Sequence, residues 1–514
     1  MRITNTMISN NSRAHILSAK REVNKREEQY DLQKKILRPS DDPTIAIRSL
    51  KLRTTYSQLQ QYAEKNVKDA MEWMNNTEKS LSNIGNVMTL MKEALNQGAN
   101  DPLGSEERRG VLAKIKQYVS NIFEDEANKD FSGRYLFTGY RTDTSLLFPT
   151  ETKNLAYSIK EHFTSDNIRS TTIVTGGARF DETITDPQNY VDQHADSHSV
   201  YRLQLAYKNC SKASTNGGTR MPGATVEDYV EFHLSLPDGT SADPTPPYEP
   251  ITRSSEDTDA YTVGDDEVVF LYDKGELLLG KNVYSAIHSQ NAKISVEYSK
   301  SEFAKNDIRP EMYFECTSFN SISNKTTPYA DPSNQKINYE VNFSQTVDVN
   351  TQAKNAISTD IYRVIDYIEQ TVNAVVDVET RISEVEKKIA NLSEDDRENG
   401  QLDLYNQLKE TLESEKTLRV SAMTEAYGMG LTMVDKTQEV VNIAVADLGA
   451  KYNRLQMTEE QLEEAMVNTE ETMSDNEDIS LPEAYINLTQ ANNLYQASLT
   501  ATAKILGNTL LNYI

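Results

Sequence analysis

Residues that could do chemistry are sparse in this 514-residue chain. A catalytic centre needs a nucleophile beside a base, paired carboxylates, or metal ligands in register. Of the six histidines, His194 and His198 come nearest to a ligand spacing. Four apart on a helix they would share a face, but Asp186, Pro187 and Asn189 nearby argue for a loop, and no HExxH context surrounds them. Gly176-Gly177 and Gly217-Gly218 lack both the lysine of a phosphate loop and the spacing of a dinucleotide-binding turn. Cys210 and Cys316 are the only cysteines. They are too few for a disulfide framework or a four-thiolate zinc site and are expected as unpaired thiols, with a single bridge as the alternative. The many Asp and Glu fall on helix faces and read as solvated surface, not as acid/base pairs. No catalytic residue, cofactor-binding residue or metal ligand is therefore assigned, and no enzyme activity is expected.

The chain's bulk properties point the same way. Hydrophobic residues make up 37% and the mean hydropathy is -0.63, which suits long amphipathic helices better than a compact two-layer domain. A formal net charge of -25 and a pI near 4.8 repel nucleic-acid phosphate and anionic membranes alike, so neither is an expected partner. No run of about 18 apolar residues is present to cross a membrane. The residues Met1 to Asn5 lack the apolar stretch of a signal peptide, so the general secretory pathway is not expected to carry the chain.

The pattern divides the chain into a helical block to about residue 130, a strand-like block to about 350, and a second helical block. The expected fold is mainly α with a β-rich insertion, the terminal regions forming a long antiparallel helical bundle or coiled coil. Asp42 before Pro43 reads as an N-cap with proline in the first turn. From there Val67, Ala70, Met74, Thr77, Leu81, Ile84, Met88, Met91 and Leu95 recur at spacings of three and four, a coiled-coil seam. Trp73 and the methionines around it are read as packing, not as a binding surface. A second helix is expected from Ser105 to Lys129. Val434, Val441, Val445, Leu448, Tyr452, Leu455, Leu462, Met466, Thr469 and Met473 supply the matching seam, with Gln438 and Glu459 as polar intrusions. Between about Ile382 and Tyr427, Ser393 to Asp396 interrupt one charged helix, and Gly428 and Gly430 are expected to close the next. This is a projecting hairpin, or else one helix kinked twice. Strands are expected at Ser170–Thr175, Val226–Leu236, Glu267–Tyr272, Lys293–Tyr298 and Ile337–Phe343.

The expected division is an assembly helix at 1–40, the first half of a helical rod at 41–148, and a variable β-rich outer domain at 149–350. The second half of the rod follows at 351–478, containing the hairpin at 382–427, and a final assembly helix at 479–514 begins at Ser480 with Glu483. Both end helices carry more apolar surface than a solvated monomer covers, so they are expected to order against neighbouring subunits. The assembly interface is assigned to Ile3, Met7, Leu17, Leu488, Tyr495, Leu499, Ile505 and Leu510.

Several strings resemble a known family. Arg2-Ile3-Thr4-Asn5, Arg38-Pro39-Ser40-Asp41-Asp42-Pro43, Gln97-Gly98-Ala99-Asn100-Asp101 and Gly133-Arg134-Tyr135-Leu136-Phe137-Thr138-Gly139 are similar to the N-terminal region of bacterial flagellins. Ile479-Ser480-Leu481-Pro482-Glu483-Ala484 and Tyr495-Gln496-Ala497-Ser498-Leu499 are similar to the C-terminal helix. Pro39, Pro43, the Arg-Tyr-Leu-Phe-Thr-Gly string and Ala501-Thr502-Ala503-Lys504-Ile505 resemble the hook-filament junction members (hook-associated protein 3 type) more than filament flagellin. The resemblance covers about residues 1–148 and 430–514. It implies a structural, flagellum-located subunit of the motility apparatus whose terminal helices form an inner tube, secreted unfolded through the type III channel. It further implies flagellin and other hook-associated proteins as partners, a ring of copies at the junction, and an export chaperone. Filament flagellin is the first alternative; an adhesin or enzyme carried by the middle domain on a flagellar frame is the second. Because the resemblance skips the middle, that part is expected to be dispensable for export and placement.

Overall fold

The structure, a computed structural model, describes residues 5–511 except 101–102, 181–183, 185, 213–228, 245–246 and 258. Helices α1 (Asn5–Leu32), α2 (Pro43–Gln61), α3 (Lys68–Ala99) and α4 (Ser105–Ser120) come first. Then come α5 (Lys281–Gln290), α6 (Ala353–Ala356), α7 (Asp360–Ala390), α8 (Glu394–Glu398), α9 (Gln401–Glu477) and α10 (Leu481–Leu511). Asp42 caps α2 by accepting hydrogen bonds from the amides of Thr44 and Ile45 at 2.9 and 3.2 Å, with Pro43 in the first turn. A π-helical turn, Tyr62–Val67, joins α2 to α3, and another, Asn121–Glu126, continues α4.

The strands lie between α4 and α6. They are β1 (Asp130–Phe131), β2 (Arg134–Tyr135), β3 (Thr152–Phe163), β4 (Arg169–Gly176), β5 (Ala195–Gln204), β6 (Val230–Ser235) and β7 (Ile251–Arg253). The rest are β8 (Val268–Leu271), β9 (Glu276–Leu279), β10 (Lys293–Phe303), β11 (Glu315–Asn320), β12 (Lys325–Tyr329), β13 (Asn338–Asn342) and β14 (Gln345–Asp348). One sheet runs β12-β11-β3-β10-β6 and is antiparallel throughout. The other runs β4-β5-β9-β8-β7, with only β7 and β8 parallel. Inward residues of both sheets (Tyr157, Ile159, Val296 and Tyr298 on one; Leu203, Phe270 and Leu277 on the other) share a core with Val283 and Ile287 of α5. β8 and β9 are buried on both faces, and so lack the alternation a half-exposed strand would show.

The chain divides into two compact units. One holds Met1–Met71, Asn338–Val347 and Tyr452–Ile514; the other holds Glu72–Ile337 and Asp348–Lys451. Both long-helix boundaries fall inside unbroken helices, where the heptad pattern offers no interruption to mark them.

All nine residues of the expected stripe from Val67 to Leu95 are buried. Within the larger unit, α3 runs antiparallel to α9. Gln438 donates to the Gly85 carbonyl and Thr89 hydroxyl at 3.2 Å, Lys92 pairs with Asp435, and Gly430 faces Leu95. Trp73 is buried against the edge of Phe131, with the Arg134 guanidinium 4.8 Å over its ring, so packing is its role. Expected strands at 170–175, 267–272, 293–298 and 337–343 match β4, β8, β10 and β13, and the described part of 226–236 matches β6.

Two boundaries differ from expectation. First, of the two readings of the break after residue 390 the hairpin holds and the kinked helix does not, since Arg381–Glu415 at 2.9 Å, Lys416–Glu379 at 3.0 Å and Lys409–Glu386 at 2.8 Å zip α7 antiparallel to α9. The hairpin starts at Asp360, earlier than the 382 read from the charge pattern. Second, Gly428 and Gly430 do not end a helix; α9 runs through both to Glu477. A Cβ on Gly430 would stand 2.9 Å from Ile368 and 3.1 Å from Leu95, so this glycine permits a close helix approach instead of a stop.

Candidate assembly surface

In the smaller unit, α1 and α10 pack against each other. On α1 the covered positions are Ile8, Ser12, Ile16, Ala19, Val23, Arg26 and Tyr30, at spacings of four and three. On α10 they are Ala484, Asn487, Leu488, Ala491, Tyr495, Ser498 and Thr502. Besides Gln29, whose amide donates to the Lys35 carbonyl, the buried members are small (Ser12, Ala19, Ala484 and Ala491), and small side chains let helix axes come close. The consequence is that large apolar residues stay outside: Leu481, Tyr485, Ile486, Leu494 and Leu499 on α10 are exposed.

The turns leading out of α1 and into α10 are bolted together. The Lys35 amide donates to the Glu477 carbonyl at 2.6 Å, and the Ile479 amide to the Gln33 carbonyl at 3.0 Å. The buried Glu477 carboxylate accepts from Arg53 Nε and Nη2 at 3.0 and 2.6 Å and from the Ser49 hydroxyl. The hydrogen bonds from Arg53 hold Glu477 below the usual carboxylate range, and Lys34 does the same for Asp478. Asn476 Nδ2 donates to the Ile45 carbonyl at 3.2 Å. The hairpin β13–β14 rests on the π-helical turn through Asn66, which donates to the Glu340 carbonyl at 2.7 Å, and through Tyr62 edge-on to Phe343.

The residues assigned to the interface from sequence fall into three groups. Met7 and Leu17 are exposed, on the face of α1 turned away from its seam. Leu488 and Tyr495 are half-buried in the seam with α1, and Leu499 stands exposed beside it. Ile3 and the side chains of Ile505 and Leu510 lie outside the described residues. Sequence reading missed the α1 seam because Ser12, Arg26 and Tyr30 carry no apolar signal; the run of four-and-three spacing through Ile8, Ile16 and Val23 was the available clue.

His194 precedes β5 and His198 lies within it, paired with Ile173. Among the described residues no group of three or more His, Cys, Asp or Glu could hold a metal ion. Gly177, with φ of +90°, leaves room for the Glu415 carboxylate; Gly217-Gly218 lie outside the described residues. Cys210 and Cys316 are both free and buried, and burial pushes the Cys210 thiol up to about 12. A cleft of about 530 Å³ between β10, α4 and α7 is lined in part by charges that already have partners within the chain. Lys208 pairs with Asp366 at 3.1 Å, and Lys300, its pKa lowered by burial, donates to the carbonyls of Lys208 and Asn209.

The most heavily buried charges join the β-rich middle to the helices. Glu161 sits on the inward face of β3, where it accepts from the Tyr298 hydroxyl at 2.5 Å, the Ala206 amide at 2.8 Å and Arg363 Nη2 of α7 at 2.5 Å. Arg202 of β5 pairs with Glu276 and lies 4.2 Å over the Tyr367 ring of α7. Arg381 donates to the Ala178 carbonyl and to Glu415.

The profile of the bacterial flagellin N-terminal helical region matches residues 3–142, and that of the bacterial flagellin C-terminal helical region matches residues 431–514. Flagellar hook-associated protein 3 of Salmonella typhimurium is 26% identical over 145 residues, 28% of this chain and 45% of that protein. Its Escherichia coli namesake is 26% identical over 187 residues, 36% and 58% of the respective chains. The chain thus spans about half the length of the curated relatives it matches. A crystal structure of FlgL from Xanthomonas campestris is 11% identical and aligns over 82% of this chain and 99% of that one at a TM-score of 0.31, too slight a likeness to bear on the fold.

Proposed function

We propose that the chain is a member of the bacterial flagellin family and the structural subunit that joins hook to filament. The observation that carries this reading is the co-occurrence of both flagellin terminal regions at the two ends of one chain, packed as the α1–α10 pair with large apolar side chains left facing outward. Two relatives named hook-associated protein 3 support the junction subtype. In this role the chain works by assembly and not by catalysis, is secreted unfolded through the type III channel with a chaperone, and forms a ring whose neighbours are flagellin and other hook-associated proteins. Met7, Leu17, Leu488, Tyr495 and Leu499 contribute to the subunit contacts, together with Ile3, Ile505 and Leu510. Partner contact completes the burial that the end helices lack, which makes incorporation cooperative. Immunogold labelling of intact flagella tests the proposal. A single band at the hook-filament boundary is expected; label along the whole filament would make the chain a flagellin instead.

A further inference from the structure

In the smaller unit, α2 and the last third of α9 each have an apolar seam turned inward and a second stripe directly opposite it. On α2 that outer stripe carries Ile47 and Leu50, 69% and 65% exposed, with Arg48 and Lys51 beside them. On α9 it carries Met457 and Val467, 62% and 63% exposed, among exposed Glu460, Glu464 and Glu471. Spacings of three and four place Met457, Glu460, Glu464, Val467 and Glu471 on one face of the helix. Among the described residues Arg48, Lys51 and these three glutamates form no ion pair, whereas nearby Arg53 and Glu477 are paired with each other. Each outer face therefore carries two exposed apolar side chains together with unspent charge, basic on α2 and acidic on α9. The α2 stripe stands out in a chain with a net charge of -25.

We propose that these stripes are the two halves of one contact, through which the α2 face of one copy of this chain docks on the α9 face of the next. The idea rests on the reading of the chain as an assembling axial subunit, and deepens it by assigning the surface. The occupant is a second copy because the two stripes match in kind: each offers two bulky apolar residues, and their bordering charges are opposite. The same pairing within one copy is excluded by geometry, since each stripe lies on the side of its helix away from the seam. A contact between different patches is heterologous, so it propagates from copy to copy and closes only as a ring. The apolar residues supply the contact area, while the charges steer encounter and fix register.

The test uses the full chain. Sedimentation at low and high salt should show wild type associating, and more weakly as salt rises. The variant Arg48→Glu/Lys51→Glu and the variant Glu460→Lys/Glu464→Lys should each associate roughly tenfold or more weakly than wild type, because each then sets like charges against each other. Mixing the two variants should restore association. In the mixture the reversed α2 stripe meets the reversed α9 stripe, and the two unaltered stripes meet each other. All four positions are exposed, so the helical melting of each variant should match wild type. Unchanged association of either variant, or failure of the mixture to recover while both keep their melting, would overturn the contact. So would a wild type that stays monomeric at every salt concentration. A filament labelled along its whole length would defeat the junction reading and leave this result untouched.

Discussion

The two units solve the burial problem in opposite ways. The larger one buries bulky side chains (Trp73, Phe123, Tyr157, Phe270, Tyr298 and Tyr427) and takes several charges inside with partners in place. Glu161, Arg202, Glu276, Arg363, Arg381 and Glu415 are all nearly inaccessible. Its core is complete within one chain. The smaller unit buries one paired charge, Glu477, but its end helices bury chiefly alanine and serine and leave Met7, Leu17, Leu481, Tyr485, Ile486, Leu494 and Leu499 exposed. The difference separates a core closed by paired charges from end helices whose outer faces stay apolar: a buried, paired charge demands a fixed environment, whereas exposed leucines beside an alanine seam leave apolar surface open to solvent.

Removing the middle is the harshest way to break this comparison. Replacing residues 152–348 with a short Gly/Ser linker strips Glu161, Arg202 and Ala178 from α7, along with the apolar contacts beside them. The expected outcome is loss of the cooperative melting of the larger unit; a chain that keeps it would show that the middle is separable, as the sequence pattern suggested. Arg363→Ala is the single-residue version. It leaves the Glu161 carboxylate buried without its counter-charge and should cost about 3 to 5 kcal/mol, read as a lowered melting temperature and faster amide exchange on β3 and α7.

Acid should act on the smaller unit. Glu477 and Asp478 have folded-state pKa values below their ordinary ones. Their stabilisation is therefore present above about pH 4.3 and is lost as pH falls through the depressed values. Melting of the α1–α10 pair should drop in that window, and Glu477→Gln should remove most of the pH dependence. The smallest effect on the isolated chain belongs to Leu499→Asp, an exposed change expected to shift stability by no more than about 0.5 kcal/mol. Its penalty should fall on assembly, where the charge enters an apolar contact. Cells carrying it together with Leu488→Asp should secrete the chain normally and shed flagellin into the medium. Attached filaments in that double variant would show that the stripe faces solvent in the flagellum.

Amphipathic periodicity and capping made the long helices legible. Val67 to Leu95 repeats without a gap, and Asp42-Pro43 is a local signal that needs no tertiary partner. The family strings at both ends were equally local. Strands β3, β5, β9 and β11 escaped notice because lysines, histidines and serines interrupt their alternation, and β9 is only four residues long. Gly430 was misread as a stop because a glycine's local preference is to end a helix, and only the packing of Ile368 and Leu95 against it shows why it sits mid-helix.

What the sequence determined by itself was therefore whatever depends on neighbours a few residues away: helix starts, seam period, charge balance, and the lack of any catalytic spacing. What the tertiary structure decided was which side of each helix is spent inside the chain. The sequence assigns Met7 and Leu17 to contacts between subunits and says nothing of the side of α1 that α10 covers, Ile8, Ser12, Ile16 and Ala19, because small side chains allow a close approach between helices and no hydropathy pattern scores them for it. Likewise Glu161 and Arg363 lie 202 positions apart. Each alone reads as a solvated surface charge, and only the fold that brings β3 against α7 makes them a buried pair.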